Sequence, residues 1–121
     1  MKKNITVIAE AGVNHNGKLS FAKKMIKLAS KAGADFVKFQ IYKTDNLLVP
    51  KAPKAKYQRL NMKSKSDESQ YKMLKEYELG YKGHLELIKN CKKNKINYLG
   101  SVFDVESLNF LLRYSKYIKI P

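Results

Sequence analysis

The stretch that most constrains the fold is residues 36–41, which combine the aromatic and β-branched side chains typical of a buried strand. Side chains alternate across a strand, so Lys38 and Gln40 share one face and the apolar Val37 and Phe39 share the other. A lysine that loses its water in such a strand is costly unless it is paired. Two interpretations follow: Lys38 pairs with a nearby carboxylate as a structural lysine of a sheet or barrel, or it points into a mouth where an anionic ligand is its partner.

Residues 5–41 predict a strand–helix–strand unit. We expect a first strand from Ile5 to Ala9, with Glu10 at its carboxyl end, then a glycine- and asparagine-rich loop. Ser20 is the expected N-cap of the next helix, and Gly33 is expected to end it. A strand, a loop, a capped helix and a second strand in this order imply parallel strands joined by a right-handed crossover.

The same alternation of elements continues along the chain. We expect a long excursion over residues 42–69, two more strands and three helical stretches. The excursion includes helical turns near Ala55–Met62. The three helices are Gln70–Glu78 (broken by Gly80), His84–Asn94 and Val105–Tyr114, the last capped by Asp104, and the two strands are Asn97–Phe103 and Tyr117–Ile120. The pattern predicts an α/β chain, residues 1–121, that forms the first part of a larger (β/α) domain.

Composition narrows the class of protein. The net charge of +15 comes almost entirely from lysines spread along the chain, with Arg59 and Arg113 as its two arginines. No motif typical of nucleic-acid binding accompanies this charge, so we do not expect specific nucleic-acid binding; a non-catalytic basic module stays open as an alternative. Cys91 has no partner for an internal disulfide, which favours a cytoplasmic protein. No secretory signal or membrane-spanning stretch is expected.

Polar side chains gather where the predicted strands end. Glu10 ends the first strand, Lys38 and Gln40 lie near the end of the second, Ser101 near the end of the third and Lys119 near the end of the fourth. In β/α barrels these ends surround the active site. Two inward lysines and a hydroxyl suit a ligand that carries phosphate and carboxylate groups, because lysines act as point charges and serine donates a hydrogen bond.

Several motifs together resemble the amino-terminal part of the sialic acid synthases, a family that includes synthases of N-acetylneuraminate, legionaminate and pseudaminate. The resemblance covers essentially the whole chain, in order and with matching spacings. It is carried by the runs at residues 8–17 (IAEAGVNHNG), 32–40 (AGADFVKFQ), 52–58 (APKAKYQ), 67–79, 103–104 (FD) and 117–120 (YIKI).

The resemblance implies a TIM (β/α)8 barrel, of which this chain would supply about the first four strands and three crossovers. It implies an enzyme that condenses phosphoenolpyruvate with a 2-acetamido sugar such as N-acetylmannosamine and releases phosphate. It also implies a divalent metal, manganese or magnesium, that polarises the sugar aldehyde, and a homodimeric full-length form. Without the remaining strands and without the small antifreeze-like domain common in the family, we expect the chain alone to have no synthase activity.

The resemblance also implies roles for individual residues. Lys38 and Lys119 match the lysines that contact phosphoenolpyruvate, and Glu10 matches a glutamate near the sugar and the reacting carbon. Asn14 and Asn16 belong to the same loop motif, either contacting substrate or only forming the turn.

Two departures from the family pattern bear on the site. Ser101 stands where most bacterial members have threonine, and Val102 replaces the family's proline. The metal ligands of the family are histidines on later strands, which His15 and His84 do not match, so no metal ligand is assigned here. His15 completes the loop motif, and His84 is expected to start a helix and face away from the mouth. A 3-deoxy-octulosonate phosphate type of synthase stays open as a related alternative, although the loop at residues 10–15 disfavours it.

Overall fold

The computed structural model describes residues 5–47 and 70–121, which form a parallel sheet with helices packed on one of its faces. The strands are β1 (Ile8–Gly12), β2 (Phe36–Ile41), β3 (Asn97–Val102) and β4 (Ile118–Lys119). The helices are α1 (Leu19–Lys31), α2 (Thr44–Leu47), α3 (Gln70–Tyr77), α4 (Gly80–Lys93) and α5 (Val105–Leu111). None of these helices is long and apolar enough to cross a membrane.

The four strands lie in chain order, β1-β2-β3-β4, and every neighbouring pair is parallel. The predicted α/β class and its four-stranded parallel pattern are therefore confirmed. β2 has the predicted bounds, whereas β1 covers residues 8–12 instead of 5–9. The reason is local, because Val7 hydrogen-bonds to the turn before β2. Its N–H donates to the Asp35 side chain and its carbonyl accepts from the Asp35 N–H, so the residues before Ile8 precede the strand.

The core lies between the helices and the apolar face of β2. Val37, Phe39 and Ile41 are each at most 1% exposed, which confirms the predicted alternation along this strand. Burial of side chains of this size is worth about 1.5–3 kcal/mol each, so this face anchors the fold. The helices contribute buried side chains to the same cluster, among them Ala22, Ile26, Leu87, Cys91 and Leu111. Cys91, 1% exposed, fills space in this core.

The ends of α1 confirm one prediction and correct another. Gly33 follows the helix with φ +82°, the left-handed conformation in which glycine commonly ends a helix. Ser20 is not the N-cap: Lys18 occupies that position and its side chain makes no capping bond. The preceding loop consists of turns that lead directly into α1, and the Lys18 carbonyl accepts hydrogen bonds from the first helical N–H groups.

The later helices differ from the predictions only at their ends. Gly80 separates α3 from α4, as predicted, but α4 starts at Gly80 and places His84 one turn inside the helix. α5 ends at Leu111, before the predicted Tyr114, because its last turn tightens into bonds between residues three apart. β4 is two residues long. The excursion after β2 begins with α2, and its predicted helical turns near Ala55–Met62 lie outside the described residues.

Asp104 caps α5, as predicted. Its carboxylate accepts from the Ser107 N–H at 2.8 Å and from the Lys43 N–H at 2.9 Å, so one side chain fixes both the start of α5 and the end of β2. Burial alone would raise the pKa of this carboxyl, but the bonds from Ser107 and Lys43 outweigh it and the pKa lies below its ordinary value.

Candidate functional site

The register of the strands places the predicted polar residues on one face of the sheet. In parallel strands, residues paired across the ladder point to the same side. Glu10 pairs with Lys38, while Gln40 pairs with Ser101 and Ser101 pairs with Lys119. Lys38 and Gln40 are two residues apart on β2, so all five share the face opposite the helices, which we call the inner face.

An ion pair lies at the centre of the inner face. The Nζ of Lys38 is 2.6 Å from an Oε of Glu10, and 20% of the Lys38 side chain and 54% of the Glu10 side chain are exposed. The interpretation that Lys38 pairs with a carboxylate is confirmed. That partner is open to solvent, and binding of an anionic ligand by Lys38 stays a prediction. An incoming anion would compete with Glu10 for the ammonium group, so the pair is accessible to ligand exchange rather than sealed in the core.

A β-bulge positions Glu10. The register of β1 against β2 shifts between Glu10 and Gly12, and Gly12 has φ +53°. A Cβ at Gly12 would lie 3.4 Å from Glu10 Oε1 and 3.9 Å from Gln40 Nε2. The absence of a side chain at this position therefore lets the backbone run close to the polar groups of the inner face.

The second lysine lies further toward the carboxyl ends of the strands. Lys119 is two strands away from Lys38, which corresponds to about 10 Å across the sheet and about 7 Å along it. Both lysine side chains are long enough to converge on one anion from these positions. Ser101, 4% exposed, pairs with Lys119 and stands between the two lysines in the register.

The two predicted asparagines lie on the loop after β1, not on the inner face. Both are exposed, and Asn16 has φ +52°, a conformation that asparagine tolerates. Asn14 lines a cavity against α1 with Phe21, Met25 and Leu28. The loop is built from successive turns, and substrate contact by either asparagine stays a prediction.

The two histidines are buried and serve the core. His84 is 2% exposed, and its Nδ1 is 2.8 Å from the hydroxyl of Tyr98. Burial, with a smaller contribution from His15, lowers the pKa of His84 to about 3, so this ring is neutral at physiological pH. His84 is therefore a structural residue of the core. His15 is 1% exposed and its ring lies 6.1 Å from that of Phe39.

A polar network at the end of β2 was missed by the sequence reasoning. Glu78 accepts hydrogen bonds from the N–H and hydroxyl of Thr44, and the hydroxyl of Tyr42 donates to the carbonyl of Leu74. Tyr71 donates from its hydroxyl to Asp45 at 2.5 Å. These partners lie 26 to 34 residues apart in the chain, so no local pattern in the sequence could have joined them.

The described residues do not build a metal site. Within residues 5–47 and 70–121, no group of three or more His, Cys, Asp or Glu side chains is arranged to hold a metal ion. The Nδ1 atoms of both histidines already have protein partners, and the inner face offers one carboxylate, Glu10, which is paired with Lys38.

The sequence of this chain is similar to that of known proteins. A family model described as the NeuB family matches residues 25–121. The N,N'-diacetyllegionaminic acid synthase of Campylobacter jejuni is 49% identical over 122 residues, which cover 100% of this chain and 36% of that protein. The synthase of the same name from Legionella pneumophila is 42% identical and is covered to 32% of its length.

The fold of the chain matches solved structures as well. The crystal structure of an N-acetylneuraminic acid (sialic acid) synthetase from Leptospira borgpetersenii, in complex with citrate, superposes with a TM-score of 0.72 at 30% identity. The match covers 98% of this chain and 36% of that one. The predicted fold class, part of a TIM barrel, is confirmed, and the chain spans about a third of the length of the proteins it matches.

Proposed function

Because this chain belongs to the NeuB family, we propose that it forms part of a synthase that condenses phosphoenolpyruvate with an N-acetylated amino sugar, giving a sialic-type acid and phosphate. The names of the relatives support a synthase of such acids. The observation that carries the proposal for this chain is the inner face, where Lys38 and Lys119 share one side of the sheet.

The proposed substrate fits the charges of the inner face. Phosphoenolpyruvate carries a phosphate and a carboxylate, and the two lysines are spaced to bind these groups together. Ser101 stands between them on β3, Gln40 follows Lys38 on β2 at the level of Lys119, and both side chains supply hydrogen bonds. Since Lys38 is already paired with the Glu10 carboxylate, the substrate replaces one anionic partner of the ammonium group by another.

The proposed reaction forms one carbon–carbon bond and one carbon–oxygen bond to water, and it breaks the carbon–oxygen bond to phosphate. The C3 atom of phosphoenolpyruvate attacks the aldehyde carbon of the open-chain sugar, and the aldehyde oxygen becomes a hydroxyl by taking up the proton that the attacking water loses. Water adds to the cationic C2 atom and loses a proton, and the tetrahedral intermediate expels phosphate to leave a keto acid. Glu10, once released from Lys38, stabilises the positive charge at C2 as a nearby carboxylate.

The resemblance implies a divalent metal, and the described residues do not fit one. His15 and His84 are buried and hydrogen-bonded, and no cluster of ligands accompanies Glu10 in residues 5–47 and 70–121. We therefore assign these residues no step through a metal, and we propose that any manganese or magnesium is held by other parts of the synthase.

The proposal extends to the product and the setting. The relatives that are 49% and 42% identical are both named for N,N'-diacetyllegionaminic acid, which favours a product of that type over the other sialic-type acids. A cytoplasmic location and a homodimeric complete synthase are parts of the same proposal. The family match favours this function over the 3-deoxy-octulosonate phosphate type and over a basic binding module.

A chimera tests the proposed function. Residues 1–121 replace the matching third of the Campylobacter jejuni synthase, and phosphate release is measured with phosphoenolpyruvate and the acceptor sugar of that parent enzyme. We expect turnover that requires both substrates, with the parent as positive control and the 121-residue chain alone as an inactive control. A folded chimera with no turnover beside an active parent would contradict the proposal.

A further inference from the structure

The loop after β1 is anchored by one inward side chain. His15 is 1% exposed, whereas Asn14 and Asn16 on either side of it are exposed. The His15 ring packs near Phe39 of β2, directly beyond Lys38 in the chain. The polar loop is therefore attached to the strand that carries the central lysine.

The Nδ1 atom of His15 accepts a hydrogen bond from the Gly17 N–H at 3.0 Å. This bond closes over Asn16, which has φ +52°, and holds the N–H of Gly17, which has φ +72°, so it fixes the point at which two consecutive left-handed residues meet. It requires the ring proton to sit on Nε2. Burial lowers the pKa of His15, which keeps Nδ1 free to accept.

Gly17 in turn supports α3. A Cβ at Gly17 would overlap the backbone carbonyl oxygen of Glu76, so the loop touches the last turn of this helix with no room for a side chain. The same helix is bound to the end of β2, where the Tyr42 hydroxyl donates to the Leu74 carbonyl at 2.9 Å. α3 thus bridges the carboxyl ends of β1 and β2.

We propose that His15 is a positioning residue: through its Nδ1 bond to Gly17 it seats α3 against the ends of β1 and β2 and so orients the face that carries Glu10 and Lys38. Its role in orienting a catalytic face rests on the proposed function, but the seating of α3 does not. The competing explanation is that the ring only fills space beside Phe39.

Two substitutions separate these explanations. His15→Asn keeps an oxygen where Nδ1 was but loses ring volume, whereas His15→Gln keeps more volume but moves its amide one bond further out. Hydrogen–deuterium exchange is followed in the complete 121-residue chain. Loss of the acceptor in His15→Gln is expected to speed exchange of α3 amides about 5-fold or more, with His15→Asn within about 2-fold of the wild type.

Exchange in β2 and β3 provides the internal reference, since it reports global stability. If α3 exchange follows side-chain volume, so that His15→Asn is the faster variant, or if both variants speed it equally, the proposal is overturned.

¹⁵N NMR of the wild-type chain is a second measurement that needs no variant. The Nε2–H form of His15 is expected, and the Nδ1–H form would overturn the proposal.

The chimera tests the proposed role of His15 in orienting the catalytic face. Turnover is expected to fall in His15→Gln and to be largely retained in His15→Asn, although the latter loses packing. Turnover that instead follows the thermal stability of the two variants would overturn this role. An inactive wild-type chimera would count against the proposed function, whereas the exchange comparison decides the seating of α3 in either case.

Discussion

Lys38→Ala in the chimera is expected to lower kcat/KM for phosphoenolpyruvate by about 100-fold or more, because under the proposed function it removes a positive charge that binds the substrate anion in a partly buried site. The side chain is 20% exposed and lies between β1 and β3, neither of which carries a lysine that could replace it. Steady-state kinetics with phosphoenolpyruvate as the varied substrate measure the effect.

Two controls separate this loss from a change in charge or fold. Lys89→Ala removes the same charge from a side chain that is 76% exposed on α4, and we expect it to leave kcat/KM within about 2-fold of the wild type. Truncation of Lys38 also leaves Glu10 without its partner, so Lys38→Met/Glu10→Gln restores a neutral pair. This double variant is expected to fold normally and stay inactive. Equal effects at Lys38 and Lys89 would show that only net charge matters.

Gly17→Ala is expected to lower the stability of the chain more than a methyl group added anywhere else in the loop after β1. The added carbon would overlap the backbone oxygen of Glu76, which is fixed within α3, and would also sit at φ +72°. The overlap is expected to cost about 1–3 kcal/mol beyond the cost of the left-handed conformation. Urea unfolding of the chain measures the free energy of unfolding.

Gly33→Ala is the matched control. Gly33 has φ +82°, but a Cβ there meets no atom within 4 Å, so the variant pays only the conformational cost of about 1–2 kcal/mol. The difference between the two variants isolates the contact with α3. Equal losses of stability would mean that Gly17 does not touch α3 in solution.

Much of the site was predictable because strand periodicity fixes which way a side chain points. The alternation over residues 36–41 put Lys38 and Gln40 on one face, and the parallel pattern placed Glu10, Ser101 and Lys119 at the same sheet edge. The structure confirms this shared face through the register of β1 to β4. Short-range patterns were sufficient to predict the shared face, because each strand carries its own polar residue and alternation within that strand fixes which way it points.

What could not be predicted depends on contacts between distant parts of the chain. The 2.6 Å pairing of Lys38 with Glu10 depends on the register of β1 against β2, and the sequence left a carboxylate and a ligand as alternative partners of Lys38. His15 is flanked by exposed asparagines, so nothing local showed that it points inward. Ser20 has the residue type of a cap, but turns in the loop moved the helix start to Leu19.

Calorimetric titration of phosphoenolpyruvate into the chimera and its Lys38→Ala, Lys119→Ala and doubly substituted forms tests the central claim most directly. If both ammonium groups bind one anion, Lys119→Ala alone weakens binding by about 10-fold or more. The changes in binding free energy caused by Lys38→Ala and Lys119→Ala then depart from additivity in the doubly substituted form by at least about 0.5 kcal/mol. Unchanged affinity in Lys119→Ala, or effects that add within about 0.3 kcal/mol, would contradict a shared anion site on the inner face.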